Sequence, residues 1–450
     1  MRPYQVRRSK SLLLLFLTGL AVHYSTAQET QHAFSARQAV DYALKNSSRV
    51  KNALTDIKIQ LQTNREVTSA ALPKLDGFVS GTNYMDIPTQ LIPGEFFQQP
   101  GTYIPVQFGT RYNVLYGVEL KQLLFDGQVF VGLQARDASI EYANLNVAVT
   151  TEVIKANVYK IYYQLVVGKK QIEVFDINIA RTEKLLHDTR ELFKNGFQEK
   201  LDMDKVSVNL SNLRTEKLKI ENRLKTGNVA LKYLMGMPIK ENLILTDTVN
   251  EAVIKEDLLS PDSLQFENRK EYQLLKSLEK LNTYNIKRYR MSYLPTVSLT
   301  GGYSQNAQRN KFNFFKSGEP WFKSTSIGVR IDVPIFDGFA KDSRIKSARL
   351  ELEKTQTNIA DLKNNIASEI DTARISLQNA LVTMDAQKTN MELAEQVYNQ
   401  TKLKYEQGLG SNLEVTNAEA DLKTAQNNYF SSLYDAVVAK IEYLRATGRL

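Results

Sequence analysis

The chain is written twice, and any fold it adopts must respect the duplication. Leu123-Leu124-Phe125-Asp126-Gly127 returns as Pro334-Ile335-Phe336-Asp337-Gly338, 211 residues later. Asn195-Gly196-Phe197 returns as Gln407-Gly408-Leu409, 212 residues later, and Leu201-Asp202-Met203 against Leu413-Glu414-Val415 keeps that spacing, as does Gly236 against Gly448. An offset this steady is the mark of duplicated architecture. It widens to 222 at Leu72-Pro73 against Leu294-Pro295, so repeat one carries 11 extra residues between Pro73 and Phe125. The Pro/Gly/aromatic stretch from Ile87 to Gly109 is where a surface insertion fits.

The first residues set the compartment. Arg2, Arg7, Arg8 and Lys10 precede an apolar run from Leu12 to Val22, and Ser25-Thr26-Ala27 offers small residues to a signal peptidase. This pattern predicts a signal peptide over 1–27, because the apolar run falls well short of the ~20 residues of a spanning helix. Removing it takes four basic side chains from a chain of 58 basic and 49 acidic residues, leaving a net charge of +5. That surplus is diffuse, without a basic stripe interleaved with aromatics, and gives no reason to expect nucleic acid as a partner. With no cysteine in the sequence there is neither a disulfide nor a lipid-anchoring thiol, so stability must come from packing and assembly.

Some helical runs are too long for an ordinary globular core. From Phe339 to Gln407 the chain has neither Gly nor Pro, enough for a rod of ~100 Å. Its apolar and small positions step by three and four through Ile345, Ala348, Leu352, Thr355, Ile359, Leu362 and Ile366, and on from Ile370 to Tyr398, as a heptad seam with one stutter. Ala, Thr, Ser and Gln are frequent on it, which suits shallow packing in a wall of helices. The predicted helices are about 35–72, 128–195 and 201–234 in a first repeat spanning 28–250, and about 262–294, 339–407 and 413–446 in a second spanning 251–450.

Between the short and long helices the hydrophobic period becomes two. Tyr112, Val114, Tyr116, Val118 and Leu120 alternate with mostly polar residues, and Ile327, Val329 and Ile331 do so in the second repeat. Four strands are expected, at about 74–84, 111–123, 296–305 and 324–335. Strands of ~10 residues that alternate in this way suit a membrane barrel, apolar outside and wet inside, and suit equally a soluble hairpin with one face on a core. Export and over-long helices favour the barrel. Four strands cannot close around anything, since the smallest barrels need about eight, and an open edge in lipid leaves backbone groups unpaired. A membrane reading therefore forces oligomerisation, and three chains would supply twelve strands.

With paired Leu-Pro strand starts, paired strand-to-helix turns (Phe125, Asp126, Gly127; Phe336, Asp337, Gly338) and paired Gly-x4-Leu-[Asp/Glu]-[Met/Val] tips, the chain resembles the TolC family of outer-membrane efflux proteins. The resemblance implies a mainly α fold with a membrane β-barrel portion: a homotrimeric channel-tunnel of two repeats per chain, in outer-membrane lipid, with a long periplasmic helical barrel. Asn242 to Ser260 and the chain end would form its equatorial zone. It also implies that the tips, Gly196, Phe197 and Leu201 with Gly408, Leu409, Gly410, Ser411 and Leu413, dock on a periplasmic adaptor that leads to an inner-membrane pump. Turn chemistry alone would also explain the glycines.

The spacing Ser411-Asn412-Leu413-Glu414 is that of a capping box, so Glu414 is first a candidate helix cap. By resemblance it is also a pore-constriction residue, three copies making a ring that repels anions. Asn417 stands where a second acid would be expected, and Asp202, the repeat-one equivalent, is a cap or tip residue before it is a constriction residue.

Nothing points to an enzyme. There is no Cys, no His pair and no Gly-rich phosphate loop, and His187 stands alone on a polar helix, so neither a metal nor a cofactor is expected. The expected function is a passive exit channel of a tripartite efflux or secretion system. A periplasmic coiled-coil adaptor or scaffold without a pore is the alternative; it would need the rods and not the strands.

Overall fold

In the computed structural model the described residues are 31–249, 251–255 and 266–450. The expected signal peptide and the start of the helix expected at about 262 lie outside them. The elements run β1 (Gln31–Phe34), α1 (Ala36–Asn46), α2 (Ser48–Ser69), β2 (Lys74–Asn83), β3 (Thr89–Pro93), a 3-10 turn (Gly94–Phe97), β4 (Tyr103–Gln107), β5 (Tyr112–Phe125), α3 (Gly127–Gln134), α4 (Arg136–Lys194) and α5 (Lys200–Met235). Then come β6 (Asn242–Leu245), α6 (Glu251–Lys255), a 3-10 turn (Phe266–Asn268), α7 (Lys270–Met291), β7 (Thr296–Arg309), β8 (Phe322–Asp332), α8 (Ala340–Glu406) and α9 (Asn412–Ala446). Among the described residues no helix is long and apolar enough to cross a membrane.

The long rods are α4 and α8, of 59 and 67 residues. Each turns back at one end into its partner, α5 or α9, making two helical hairpins. Every buried residue of α8, from Ile345 and Ala348 through Ile366, Leu377 and Met384 to Tyr398, falls on the heptad seam. The core is a string of small clusters along the hairpins rather than one centre. Ile154, Val158 and Tyr162 of α4 meet α1 and α5 in one cluster, Met384 meets Phe430 and Leu433 in another, and Leu185, Val206, Tyr398 and Val415 form a third near the turns.

Two helices are broken where the sequence predicts one. The first helix breaks at Ser47, whose extended backbone (φ −56°, ψ 130°) separates α1 from α2. The break receives Gly236, the left-handed cap of α5 (φ +71°), where a Cβ would stand 2.3 Å from the Asn46 carbonyl oxygen. Only glycine tolerates both demands. In repeat two, Gly448 (φ +69°) meets the Asn268 carbonyl in the same way, just before α7. The first rod is interrupted at Ala135, where the Asn64 amide donates to the Arg136 carbonyl at 3.0 Å and the Arg136 guanidinium donates to the Leu133 carbonyl at 3.0 Å. Side chains drawn onto the helix ladder in this way bend it.

The central sheet has the order β2-β5-β7-β8, antiparallel throughout. β5 against β7 joins the repeats, and β2 and β8 are open edges. The insertion in repeat one folds as a separate hairpin, β3 against β4, between β2 and β5. β1 and β6 form a parallel pair beside the rods, so the segment expected as an equatorial zone contributes one short strand; residues 250 and 256–265 of it lie outside the described residues.

Candidate functional site

Two regions could carry function: the sheet, and the hairpin ends of the rods. In an antiparallel sheet directly facing residues share a face. The register places Val118 opposite Gly77 on one side and Tyr303 on the other, and carries the row on through Thr325. On this face lie Tyr112, Val114, Tyr116, Val118 and Leu120 of β5 with Ile327, Val329 and Ile331 of β8, joined by Leu75 and Val79 of β2 and Val297 and Leu299 of β7. The opposite face carries Asp76, Ser80, Glu119, Lys121, Thr300, Ser304, Arg330 and Asp332. One sheet thus has an apolar and a polar side, and the apolar side has no core behind it. Ile327, Val329 and Ile331 are 81%, 61% and 60% exposed.

Tyr112, Val114 and Leu120 of β5, with Val297 and Leu299 of β7, are half-buried. For the tyrosines the cover is the β7–β8 connection, which folds back onto the apolar face. Phe312 meets the Tyr112 ring at 5.8 Å and Trp321 meets the Tyr116 ring at 5.1 Å. The Arg309 guanidinium lies 4.9 Å from the Phe314 ring centre and 5.6 Å from that of Trp321. The result is an aromatic cluster at the end of the sheet farthest from the rods. Sequence reasoning passed over it, although three phenylalanines and the one tryptophan within ten residues were the signal.

At the strand-to-helix turns the repeats diverge. In repeat one β5 runs to Phe125, Asp126 caps α3 by accepting from the Gln128 amide at 2.7 Å, and Gly127 begins the helix. In repeat two β8 stops at Asp332, short of the expected 335, and Phe336 lies in irregular chain. Pro334 has no amide to donate, and these residues have no strand beside them within the protomer. Gly338 and Phe339 are both left-handed, and Asp337 accepts from the Lys341 amide at 3.0 Å.

The rod ends match closely. Gly196 (φ +77°) and Gly408 (φ +75°) end α4 and α8 in Schellman turns: Phe197 donates to Leu192 O and Leu409 to Lys404 O, each at 2.9 Å. Phe197 and Leu409 stand 79% and 77% exposed, and Leu201 and Leu413 are exposed beside them. Ser411 caps α9 by accepting from the Glu414 amide at 3.3 Å. Glu414 and Asn417, one turn apart, are both exposed, and a Cβ on Gly410 would lie 3.3 Å from the Glu414 carboxylate. Asp202 is half-buried, paired with Lys205 at 3.6 Å, and its carbonyl accepts from the buried Asn412 amide at 3.3 Å. Glu199 sits at the start of α5 without a side-chain cap.

Behind these ends lies a polar layer that sequence reasoning missed. Glu419 of α9 is buried, with its carboxylate between the Thr182 hydroxyl of α4 and the Asn209 amide of α5. Burial pushes its carboxyl above the ordinary 4.5, against the pull of those two donors and of Arg181 and Lys423. Asn178 donates to Gln426 at 2.7 Å one turn further in, and Arg181 bridges to Glu395 of α8 at 3.3 Å. The Tyr398 phenol, buried beside Glu419, is pushed up to about 12. These contacts tie the repeat-two hairpin to the repeat-one hairpin. Among the described residues no group of His, Cys, Asp and Glu could hold a metal. His187 is exposed.

Residues 276–449 match the outer membrane efflux protein family. The outer membrane protein TolC of Vibrio cholerae is 20% identical over 74% of this chain and 76% of its own length. The protein CyaE of Bordetella pertussis is 23% identical over 76% of this chain and 72% of its own. Among solved structures, the Campylobacter jejuni CmeC outer membrane channel superposes with a TM-score of 0.74 at 18% identity, covering 92% of this chain and 85% of that one.

Proposed function

We propose, from the premise that this chain belongs to the outer membrane efflux protein family, that it is a passive exit channel in the outer membrane. Three copies pool their four-stranded sheets into one twelve-stranded barrel, and their rods continue the lumen into the periplasm. The observation that carries this reading is the sheet itself, with an exposed apolar face, a polar face behind it and two unpaired edges. In lipid such edges leave a row of backbone groups unsatisfied, at several kcal/mol each, so the sheet has to close with others. A scaffold made of rods alone would have no use for it.

The apolar row from Tyr112 to Leu120 and from Ile327 to Ile331 then faces lipid. The aromatic cluster around Trp321 sits at the outer interface, where amphipathic rings anchor barrels. The exposed pairs Phe197 with Leu201 and Leu409 with Leu413 are docking points for a periplasmic adaptor, which connects the channel to an inner-membrane pump that supplies the energy. Glu414 lines the periplasmic constriction with Asn417 beside it, and Asp202 serves the tip as an anchor for Asn412.

Reconstitution tests the reading. Heat-dissociable trimers should be recovered from outer-membrane fractions and should conduct ions in planar bilayers without nucleotide. A protein that remains in the soluble fraction and never conducts would overturn it.

A further inference from the structure

The internal repeat fixes the residue register of a strand junction between neighbouring copies. Within repeat one, Gly77 faces Val118 across β2 and β5. Moving the first by the 222-residue offset and the second by the 211-residue offset gives Leu299 and Val329, which face each other across β7 and β8. The same transformation carries every β2–β5 pair from Lys74–Lys121 to Val79–Tyr116 onto an observed β7–β8 pair, without a residue of slip. The duplication therefore preserves register.

The junction between repeats obeys its own register, in which Glu119 of β5 faces Gly302 of β7. Its image under the same offsets sets Arg330 of β8 opposite Ser80 of β2. These residues lie on opposite edges of the sheet, three strand intervals or ~14 Å apart in one protomer, so they can meet only between copies. We propose that β8 of each protomer pairs antiparallel with β2 of the next in this register, Arg330 opposite Ser80 and Ile331 opposite Val79. The proposal rests on the channel reading above and adds to it the seam by which the barrel closes.

Two further observations support it. At the visible junction Gly117 lets β5 and β7 approach, since a Cβ there would stand 2.3 Å from the Tyr303 carbonyl oxygen. Its image in β8 is Gly328, which in its own protomer has nothing nearer than the Thr300 hydroxyl at 3.5 Å. The need for glycine at Gly328 then comes from the neighbouring copy. Exposure tells the same story: Phe125 is 37% exposed beside β7, whereas its image Phe336 is 75% exposed beside a bare edge.

Because the sequence has no cysteine, introduced pairs report contacts without background. Facing residues in an antiparallel junction have Cα atoms ~4.5–5.5 Å apart, within disulfide range. Four double variants form a square: Ser80→Cys with Arg330→Cys and Phe78→Cys with Asp332→Cys are in register, while Ser80→Cys with Asp332→Cys and Phe78→Cys with Arg330→Cys are two residues out. All four place the thiols on the polar face. Glu119→Cys with Gly302→Cys is the intramolecular control for folding and oxidation. After mild oxidation of native membranes and non-reducing denaturing electrophoresis, the in-register pairs should give covalent trimer at about tenfold the yield of the others. Preferential cross-linking of either out-of-register pair overturns the register and leaves the trimeric barrel standing. No intermolecular product from any of the four, with the control pair oxidised, removes the seam and the channel reading together.

Discussion

The carboxylate of Glu419 on α9 accepts a hydrogen bond of 2.8 Å from the Asn209 amide on α5 and so joins the repeat-two hairpin to the repeat-one hairpin. Burial raises this carboxyl while Thr182, Asn209, Arg181 and Lys423 oppose the rise, and the Tyr398 phenol is the other titratable group packed on it. A carboxyl raised on folding binds its proton more tightly in the native state. Its stabilising effect is therefore fullest below its unfolded value and is lost as pH rises through its folded one. The thermal midpoint of the wild type should climb as pH falls from neutrality towards 4.5, relative to that of Glu419→Gln, in which the titration is gone. Melting curves of the two proteins over that range check this; parallel profiles would mean that Glu419 does not titrate there.

If Glu414 lines the constriction as proposed, replacing it with Ala removes three carboxylates from the narrow end of the pore and should raise single-channel conductance in planar bilayers and reduce cation preference. Loss of the carboxylate from the first turn of α9 costs about 0.5 kcal/mol per helix, too little to disturb assembly. Unchanged conductance and selectivity would leave Glu414 as an acid in the first turn of α9 with no part in a constriction.

The two faces of the sheet should respond oppositely to charge. With the proposed facing, Val118→Lys or Ile331→Arg would put a cation into lipid at ~2–4 kcal/mol per copy, in three copies at once, and should abolish trimers in the outer-membrane fraction. Ser326→Lys, on the polar face, should assemble normally. The check is the trimer band in that fraction: normal assembly of Val118→Lys and Ile331→Arg with loss of the trimer in Ser326→Lys would reverse the assignment of faces.

Gly236 and Gly196 share a left-handed backbone and differ in surroundings. Ala at Gly196 meets open space and should cost only the ~1–2 kcal/mol of the backbone conformation. Ala at Gly236 adds a clash with the Asn46 carbonyl, which would be 2.3 Å from its Cβ, and should lower the thermal midpoint far more. Equal shifts would show that the break at Ser47 yields freely.

Much of this architecture is legible in the sequence because its signals are periodic. The seam of α8 can be marked residue by residue, and Tyr112 to Leu120 declare their face by alternation. What escapes is whatever depends on residues brought together from afar. Glu419 reads as one more acid on a helix until Thr182 and Asn209, more than 200 residues earlier, close over it. The interruption at Ala135 depends on Asn64, and the four-residue pairing of β1 with β6 is too short to carry a pattern. The aromatic connection from Asn310 to Trp321 has no period at all. Its place on the apolar face of the sheet follows from Arg309, Tyr112 and Tyr116 beneath it.

The account stands on the inability of one chain to close its own sheet, and the direct test is the subunit count of the detergent-extracted protein by native mass spectrometry. Three chains per particle, with no stable monomer, is the predicted result. A folded single-chain particle that keeps its four-stranded sheet in the membrane fraction would contradict it.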